Sequence, residues 1–251
     1  MHRFHFPHPA SIPGVAAATE TPVLSDALVE LEKEESHHAA KVLRLRVGEA
    51  VSLFDGNGVL AEGVIERLGS RVAVRMKRVH RALPIAPRID VAVALPKGAR
   101  ADVMIEQLSQ LGCDSIIPLR TRRSIVDPRE TKLDRFARAA IESAKQCGRA
   151  HVMTIAAPIS FGPALWKGSH DLRLIASPGG TSHEAVNVQL RSAKHVLILI
   201  GPEGGWAEEE LKDAGEARCE AWALGPHVMR IETAAVAAVT VVRYVTQTKT
   251  T

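Results

Sequence analysis

The chain has 251 residues, 46% of them hydrophobic and 24% charged, and a formal net charge of +4. This is the make-up of an ordinary globular protein of one large domain or two smaller ones. It excludes a membrane-spanning chain, since no apolar run approaches the roughly 18 residues needed to cross a bilayer, and a disulfide scaffold, since Cys113, Cys147 and Cys219 are odd in number and widely spaced.

The N-terminus, MHRFHFPHPASIPG, lacks the apolar core of a secretion signal, and no metal-ligand spacing appears among the cysteines. A cytoplasmic protein with reduced thiols and no metal is expected. Residues 1–82 read as a small β-rich domain. Phe4 and Phe6 alternate with polar neighbours as in a short strand, and residues 7–22 read as a Pro-, Ala- and Thr-rich loop. Ser36 stands where it would cap a short helix carrying Ala39, Ala40 and Leu43. Strands follow over Ala50–Phe54 and Val59–Leu68, joined by the turn Asp55-Gly56-Asn57-Gly58. In a third strand Val72, Val74 and Met76 alternate with Arg71, Arg75 and Lys77, so the cations share one solvent face. No acid falls between Glu66 and Asp90. Such a face serves either solubility or contact with nucleic-acid phosphates.

Two prolines in Ala82-Leu83-Pro84-Ile85-Ala86-Pro87 mark the boundary, with a second domain over 83–251. There strand and helix alternate. Ile89–Ala94 is a strand, and a helix with Met104, Leu108 and Leu111 on one face stops at Gly112. Ser115–Leu119 is a strand, a longer helix over Leu133, Phe136, Ala140, Ile141 and Ala144 closes at Gly148, and Val152–Ala156 and Leu172–Ala176 are further strands. Alternation of this kind predicts an α/β domain with a mostly parallel sheet.

The last two strands carry the candidate site. Val196–Ile200 runs into Gly201-Pro202-Glu203-Gly204-Gly205, and Ala221–Leu224 into Gly225-Pro226-His227-Val228-Met229-Arg230, and a helix follows each. Glycines just past the carboxyl end of a buried strand let backbone N–H groups approach a ligand closely. Two such turns on neighbouring strands make a pocket walled by main chain. The GxGxxG fingerprint of dinucleotide sites is missing after the first strand, where Pro96 stands instead, and there is no Walker A sequence. Glu208, Glu209 and Glu210 suit a helix start. Arg230 and Glu232 precede an Ala-rich helix over Thr233–Val245 and read either as a structural ion pair or as functional groups.

GPEGGW followed by an acidic helix start, and then LGPHVMRIETAAVAA, resembles the bacterial ribosomal RNA small subunit methyltransferase E family, which belongs to the SPOUT class. The resemblance extends to His37-His38 with Lys41–Gly48, Leu53–Gly56, Pro96–Gly98, Arg123-Ser124, and Gln146 with Arg149, so it spans nearly the whole chain. It implies a PUA-like β-barrel RNA-binding domain at 1–82. It also implies a SPOUT domain at 83–251 whose C-terminus is tied into a trefoil knot, one of the rare exceptions to unknotted topology.

The activity so implied is methyl transfer from S-adenosylmethionine to N3 of a uridine in 16S rRNA of the small ribosomal subunit, by a homodimer built through the closing helix. By the same resemblance, the donor's adenosine is held largely by main chain of Leu199, Ile200, Gly201, Pro202, Glu203, Gly204 and Gly205 and of Leu224, Gly225, Pro226, Val228, Met229 and Arg230, with a third contact at Ala176, Ser177 and Pro178. Arg230 is expected to polarise or orient the target base, and Glu232 to hold Arg230 or accept a proton. Arg123 and Arg149 join Arg71, Arg75 and Lys77 as candidate RNA contacts. His227 stands where the family usually has Arg, and Ile231 where it has Thr. The alternative readings are a SPOUT ribose 2′-O-methyltransferase and a non-catalytic RNA-binding assembly factor.

Overall fold

Two sheets of different kinds follow two different sequence patterns. The computed structural model describes residues 1–7, 19–127 and 130–247. Residues 8–18 of the expected N-terminal loop lie outside the described residues. The chain divides into two units, residues 1–84 with 144–152, and residues 85–143 with 153–251.

In the first unit, β1 (His2–His5), β4 (Ala50–Phe54), β5 (Val59–Arg67), β6 (Ala73–Arg81) and β2 (Val23–Leu24) form a sheet in that order, with β3 (Leu28–Glu30) also on β6. β1 runs parallel to β4 and the other pairs are antiparallel. Along β5 the side chains alternate, with Val59, Ala61 and Ile65 buried, which gives the sheet one apolar face. Phe4, Leu31, Leu53 and Met76 join that core. The β5–β6 register shifts at Gly63, where a Cβ would lie 2.5 Å from the Arg75 carbonyl oxygen. Only glycine fits this bulge.

Ser36 does not cap a helix. It lies inside α1 (Lys33–His37), is buried, donates from Oγ to the Leu31 carbonyl and accepts from Val72 N–H. The hydroxyl satisfies buried backbone groups that flank the sheet, a use that local spacing does not reveal. Residues 144–152, which a linear division assigns to the second domain, belong with this unit. Lys145 Nζ donates to Glu35 at 2.9 Å, with both side chains largely buried, and Val152 N–H donates to the Gly56 carbonyl.

The second unit contains β7 (Arg88–Val93), α2 (Arg100–Gln110), β8 (Ser115–Arg120), α3 (Glu130–Cys147, whose last turn falls in the first unit), β9 (Thr154–Ile155), β10 (Ile159–Ser160), β11 (Leu172–Thr181), α4 (His183–Ser192), β12 (His195–Ile200), α5 (Glu208–Glu216), β13 (Glu220–Trp222) and α6 (Ile231–Gln247). The sheet order is β10-β8-β7-β12-β11-β13, with β9 also on β8, and every pair is parallel. β7 and β12 are buried almost end to end, as strands covered on both faces must be. α6 packs on β7 and β12 and against α2 and α4. Its buried positions Ile231, Ala234, Ala235, Ala238, Val239 and Val242 recur at helical spacing. Arg243 is buried on the same helix and donates to the carbonyls of Pro87 and Gly112 and to Asp114 Oδ2.

Candidate functional site

β12 and β13 are not neighbours, contrary to the expectation for the two glycine turns. β11 lies between them, so three strand ends meet at one edge. The carboxyl end of β11 is irregular. Ala176 and Thr181 both pair with Trp222, which loops out Ser177-Pro178-Gly179-Gly180. A Cβ on Gly180 would sit 2.5 Å from the backbone of Ala221 and Trp222, so glycine is required where the loop returns to the sheet.

Between these three ends lies a cavity of about 310 Å³, within the size range of small-molecule sites. Twelve of the sequence-selected residues line it: Ala176, Ser177 and Pro178 from β11, Ile200, Gly201, Pro202, Glu203 and Gly205 after β12, and Leu224, Gly225, Val228 and Met229 after β13. Leu199, Gly204, Pro226 and Arg230 are not among its lining residues. Leu199 is fully buried within β12, and the exposed Gly204 instead accepts a hydrogen bond at its carbonyl from Arg123 Nη1 at 2.8 Å. Arg123, selected as an RNA contact, thus braces the first turn from outside.

Trp206, Leu211, Trp222, His227, Ile231 and Ala234 complete the lining; of these, the sequence placed only His227, in the second turn, and Ile231, just after it, close to the site. The signal for Trp206 was present in GPEGGW: an indole directly after a glycine turn has the turn's open space to fill. Its Nε1–H donates to the Ala176 carbonyl at 2.9 Å, tying the β12 turn to the β11 end. A Cβ on Gly201 would lie 2.8 Å from the Trp206 ring. Gly205 has φ +70°, a conformation that favours glycine.

The charged groups are arranged differently from the simplest sequence reading. Glu210 is buried and its carboxylate accepts from Ala207 N–H and Arg122 N–H, both at 2.9 Å, closing the first turn of α5. Glu208 and Glu209 stay exposed at the same helix start, and Glu203 is exposed at the cavity. Glu232 pairs with Arg100 of α2, at 3.8 Å, and not with Arg230. Its Oε2 is buried and has no hydrogen-bond partner among the described residues. Arg230 is exposed immediately before α6.

The basic face of β6 is less free than its one-dimensional pattern suggests. Arg75 donates to both oxygens of Glu66, at 2.6 and 2.8 Å, Arg78 lies 3.6 Å from Glu62, and Arg67 lies 2.6 Å from Glu30. The Arg75 hydrogen bond holds the Glu66 carboxyl below its ordinary range. Acids from neighbouring strands fill the gap left between Glu66 and Asp90 in the sequence. Arg71 and Lys77 are exposed and form no ion pair among the described residues, and Arg149 is half-buried with its carbonyl accepting from Arg3.

A family model described as an RNA methyltransferase domain matches residues 83–243, and one described as an RNA methyltransferase PUA domain matches residues 31–72. A Mycobacterium bovis protein named ribosomal RNA small subunit methyltransferase E is 31% identical over 221 residues, covering 84% of each chain. Among solved structures, a protein of the same name from Neisseria gonorrhoeae, bound to S-adenosyl methionine, matches with a TM-score of 0.84 at 26% identity over 98% of both chains. A Legionella pneumophila protein described as a methyltransferase with bound SAM matches with a TM-score of 0.82 at 27% identity over 96% of both.

Proposed function

This chain belongs to the ribosomal RNA small subunit methyltransferase E family, and on that premise we propose that it transfers a methyl group from S-adenosylmethionine to N3 of a uridine in 16S rRNA. One observation carries the reading: the bulged carboxyl end of β11 and the turns after β12 and β13 enclose a cavity of small-molecule size, the part of an open α/β sheet where ligands bind. The relatives with bound donor support the choice of cofactor.

In the reaction, N3 of the uracil loses its proton and its electron pair attacks the methyl carbon. The carbon–sulfur bond breaks, and the cationic sulfonium becomes the neutral thioether of S-adenosylhomocysteine. Glu203 brings negative charge to the cavity that receives the sulfonium. Main chain of the Ile200–Gly205 and Leu224–Arg230 turns, with Ala176–Pro178, holds the adenosine. Arg230, charged at all relevant pH values, stabilises the negative charge that develops on the base. Glu232, held by Arg100, offers its unpartnered Oε2 as proton acceptor.

The rest of the family's organisation belongs to the same reading. It comprises a trefoil knot at the C-terminus of the second domain, a homodimer through α6 that builds each active site from both subunits, an RNA-binding role for the PUA-like domain through Arg71, Arg75 and Lys77, further RNA contacts at Arg123 and Arg149, and action in the cytoplasm. Incubation of the purified chain with methyl-labelled donor and 16S rRNA, followed by nucleoside digestion, is expected to yield 3-methyluridine. A 2′-O-methyl nucleoside would instead make it a ribose methyltransferase, and donor binding without transfer would make it an assembly factor.

A further inference from the structure

Asp90, His170 and His195 bring three metal-ligating side chains together near the amino-terminal ends of β7, β11 and β12, and the opposite ends of β11 and β12 help form the cavity. The register explains two of them. In the parallel β7–β12 pair His195 lies opposite Arg88 and Leu197 opposite Asp90, so the period of two projects His195 and Asp90 from one face. The turn before β11 delivers the third. Asp171 N–H donates to the His195 carbonyl at 2.9 Å, and Asp171 Oδ2 accepts from Lys194 N–H and His195 N–H at 2.6 and 3.1 Å. The His170 ring rests against Gly168, where a Cβ would collide with it.

His170 Nε2 and His195 Nε2 approach the same oxygen, Asp90 Oδ2, at 3.0 and 2.8 Å. The side chains of Asp90, His170 and His195 are 8%, 6% and 17% exposed. Asp90 Oδ1 and His170 Nδ1 are buried without a hydrogen-bond partner among the described residues, and Arg88 Nε lies 3.5 Å from Asp90 Oδ1. A buried carboxylate is costly to keep charged without a compensating cation, and both imidazole Nε2 atoms converge on one of its oxygens.

The geometry points to a site for a divalent transition-metal ion of the zinc class, with two imidazole nitrogens and one carboxylate oxygen as ligands and the fourth position open to water. An ion about 2.0–2.1 Å from each donor in tetrahedral geometry separates the donors by about 3.3 Å. The cluster therefore needs to open only slightly. Each ring presents its Nε2 lone pair by carrying its proton on Nδ1. The ion pins the starts of β7 and β12 to the turn before β11, and so stabilises the parallel sheet from the end opposite the cavity.

The full chain, stripped with EDTA and then dialysed against Zn²⁺ or Co²⁺, tests the site. One ion per chain is expected, with the visible absorption of tetrahedral Co²⁺ and a melting temperature that rises with metal concentration. Asp90→Asn and His195→Gln should each weaken binding by at least about 10-fold while still melting cooperatively without metal. Where either fails to melt cooperatively, loss of the Co²⁺ spectrum in His170→Gln takes its place. Wild-type protein that retains no ion, or variants that retain as much as wild type, would overturn the assignment in favour of a metal-free cluster in which both Nε2–H groups donate to the carboxylate.

Discussion

Arg100 Nη1 lies 3.8 Å from Glu232 Oε1, so the acid that opens α6 is tethered to α2 while Arg230, two residues earlier, faces solvent. The two polar residues of the Arg-x-Glu block are thereby separated into a held carboxylate and an exposed cation. Arg230→Ala is expected to abolish turnover while leaving donor affinity within about two-fold, measured by calorimetric titration beside a methyl-transfer assay. Glu232→Gln should lower kcat by about 10²- to 10⁴-fold, the range for loss of a general base. Arg100→Ala should give a smaller loss, because the carboxylate remains and only its orientation is released. Full activity in Glu232→Gln would remove the proton-acceptor role.

The first turn should be intolerant of a single methyl group. Gly201→Ala places a Cβ against the Trp206 ring, which its own hydrogen bond to Ala176 prevents from retreating. Overpacking of this kind costs about 1–3 kcal/mol, and borne by the bound state it corresponds to roughly 5- to 150-fold weaker donor binding. Calorimetry on the folded variant measures it directly, and unchanged affinity would show that the ring moves freely.

Arg243 is a stability residue and not a site residue. Replacing it with Met removes the buried guanidinium donor from the Pro87 and Gly112 carbonyls and from Asp114 Oδ2, which keeps the Ile89 N–H. A loss of about 3–5 kcal/mol is expected for breaking such an arrangement, read as a lower urea midpoint. The Gly112 carbonyl ends the segment after α2, so the loss should be accompanied by faster amide exchange there.

The three thiols should separate by reactivity. Cys147 is exposed, Cys113 is buried, and burial pushes the Cys219 thiol up to about 11. Since the thiolate is the reactive form, native protein at pH 8 should titrate one thiol rapidly with a disulfide reagent, and a Cys147→Ser variant none. Any fast thiol remaining in that variant would contradict the shielding of Cys113 or Cys219.

On the basic face, Lys77→Ala and Arg71→Ala should each reduce the salt dependence of RNA binding by about one counterion. Arg75→Ala should change it less, because Glu66 already neutralises that guanidinium. The lowered carboxyl of Glu66 means the pairing is fully present above the ordinary carboxylate range, and it is lost only as pH falls through its depressed value. Binding measured between pH 6 and 8 should therefore show no titration from this pair. Equal salt slopes for all three variants would show that Glu66 leaves Arg75 free to meet the RNA phosphates.

Periodicity made most of this fold legible. Continuous apolar runs such as Val196–Ile200 become strands covered on both faces, and the 3.6-residue recurrence in the closing helix becomes its buried stripe. The glycine turns were legible for the same local reason, since close backbone approach needs glycine wherever it occurs. Trp222 was hidden inside an apolar run that reads as strand, and its contribution to the cavity depends on the loop at the end of β11.

The amino-acid sequence by itself determined the α/β character of the second domain, the position of the two glycine turns and the family to which the chain belongs, because each rests on short-range pattern. Tertiary structure alone decided that β11 intervenes between β12 and β13, that Glu232 pairs with Arg100, that acids of other strands neutralise part of the basic face, and that Asp90, His170 and His195 converge. These are relations between residues distant in the chain, fixed by strand order and register. Local propensity carries no information about which strands become neighbours, since that choice is made by the free energy of burying whole faces together.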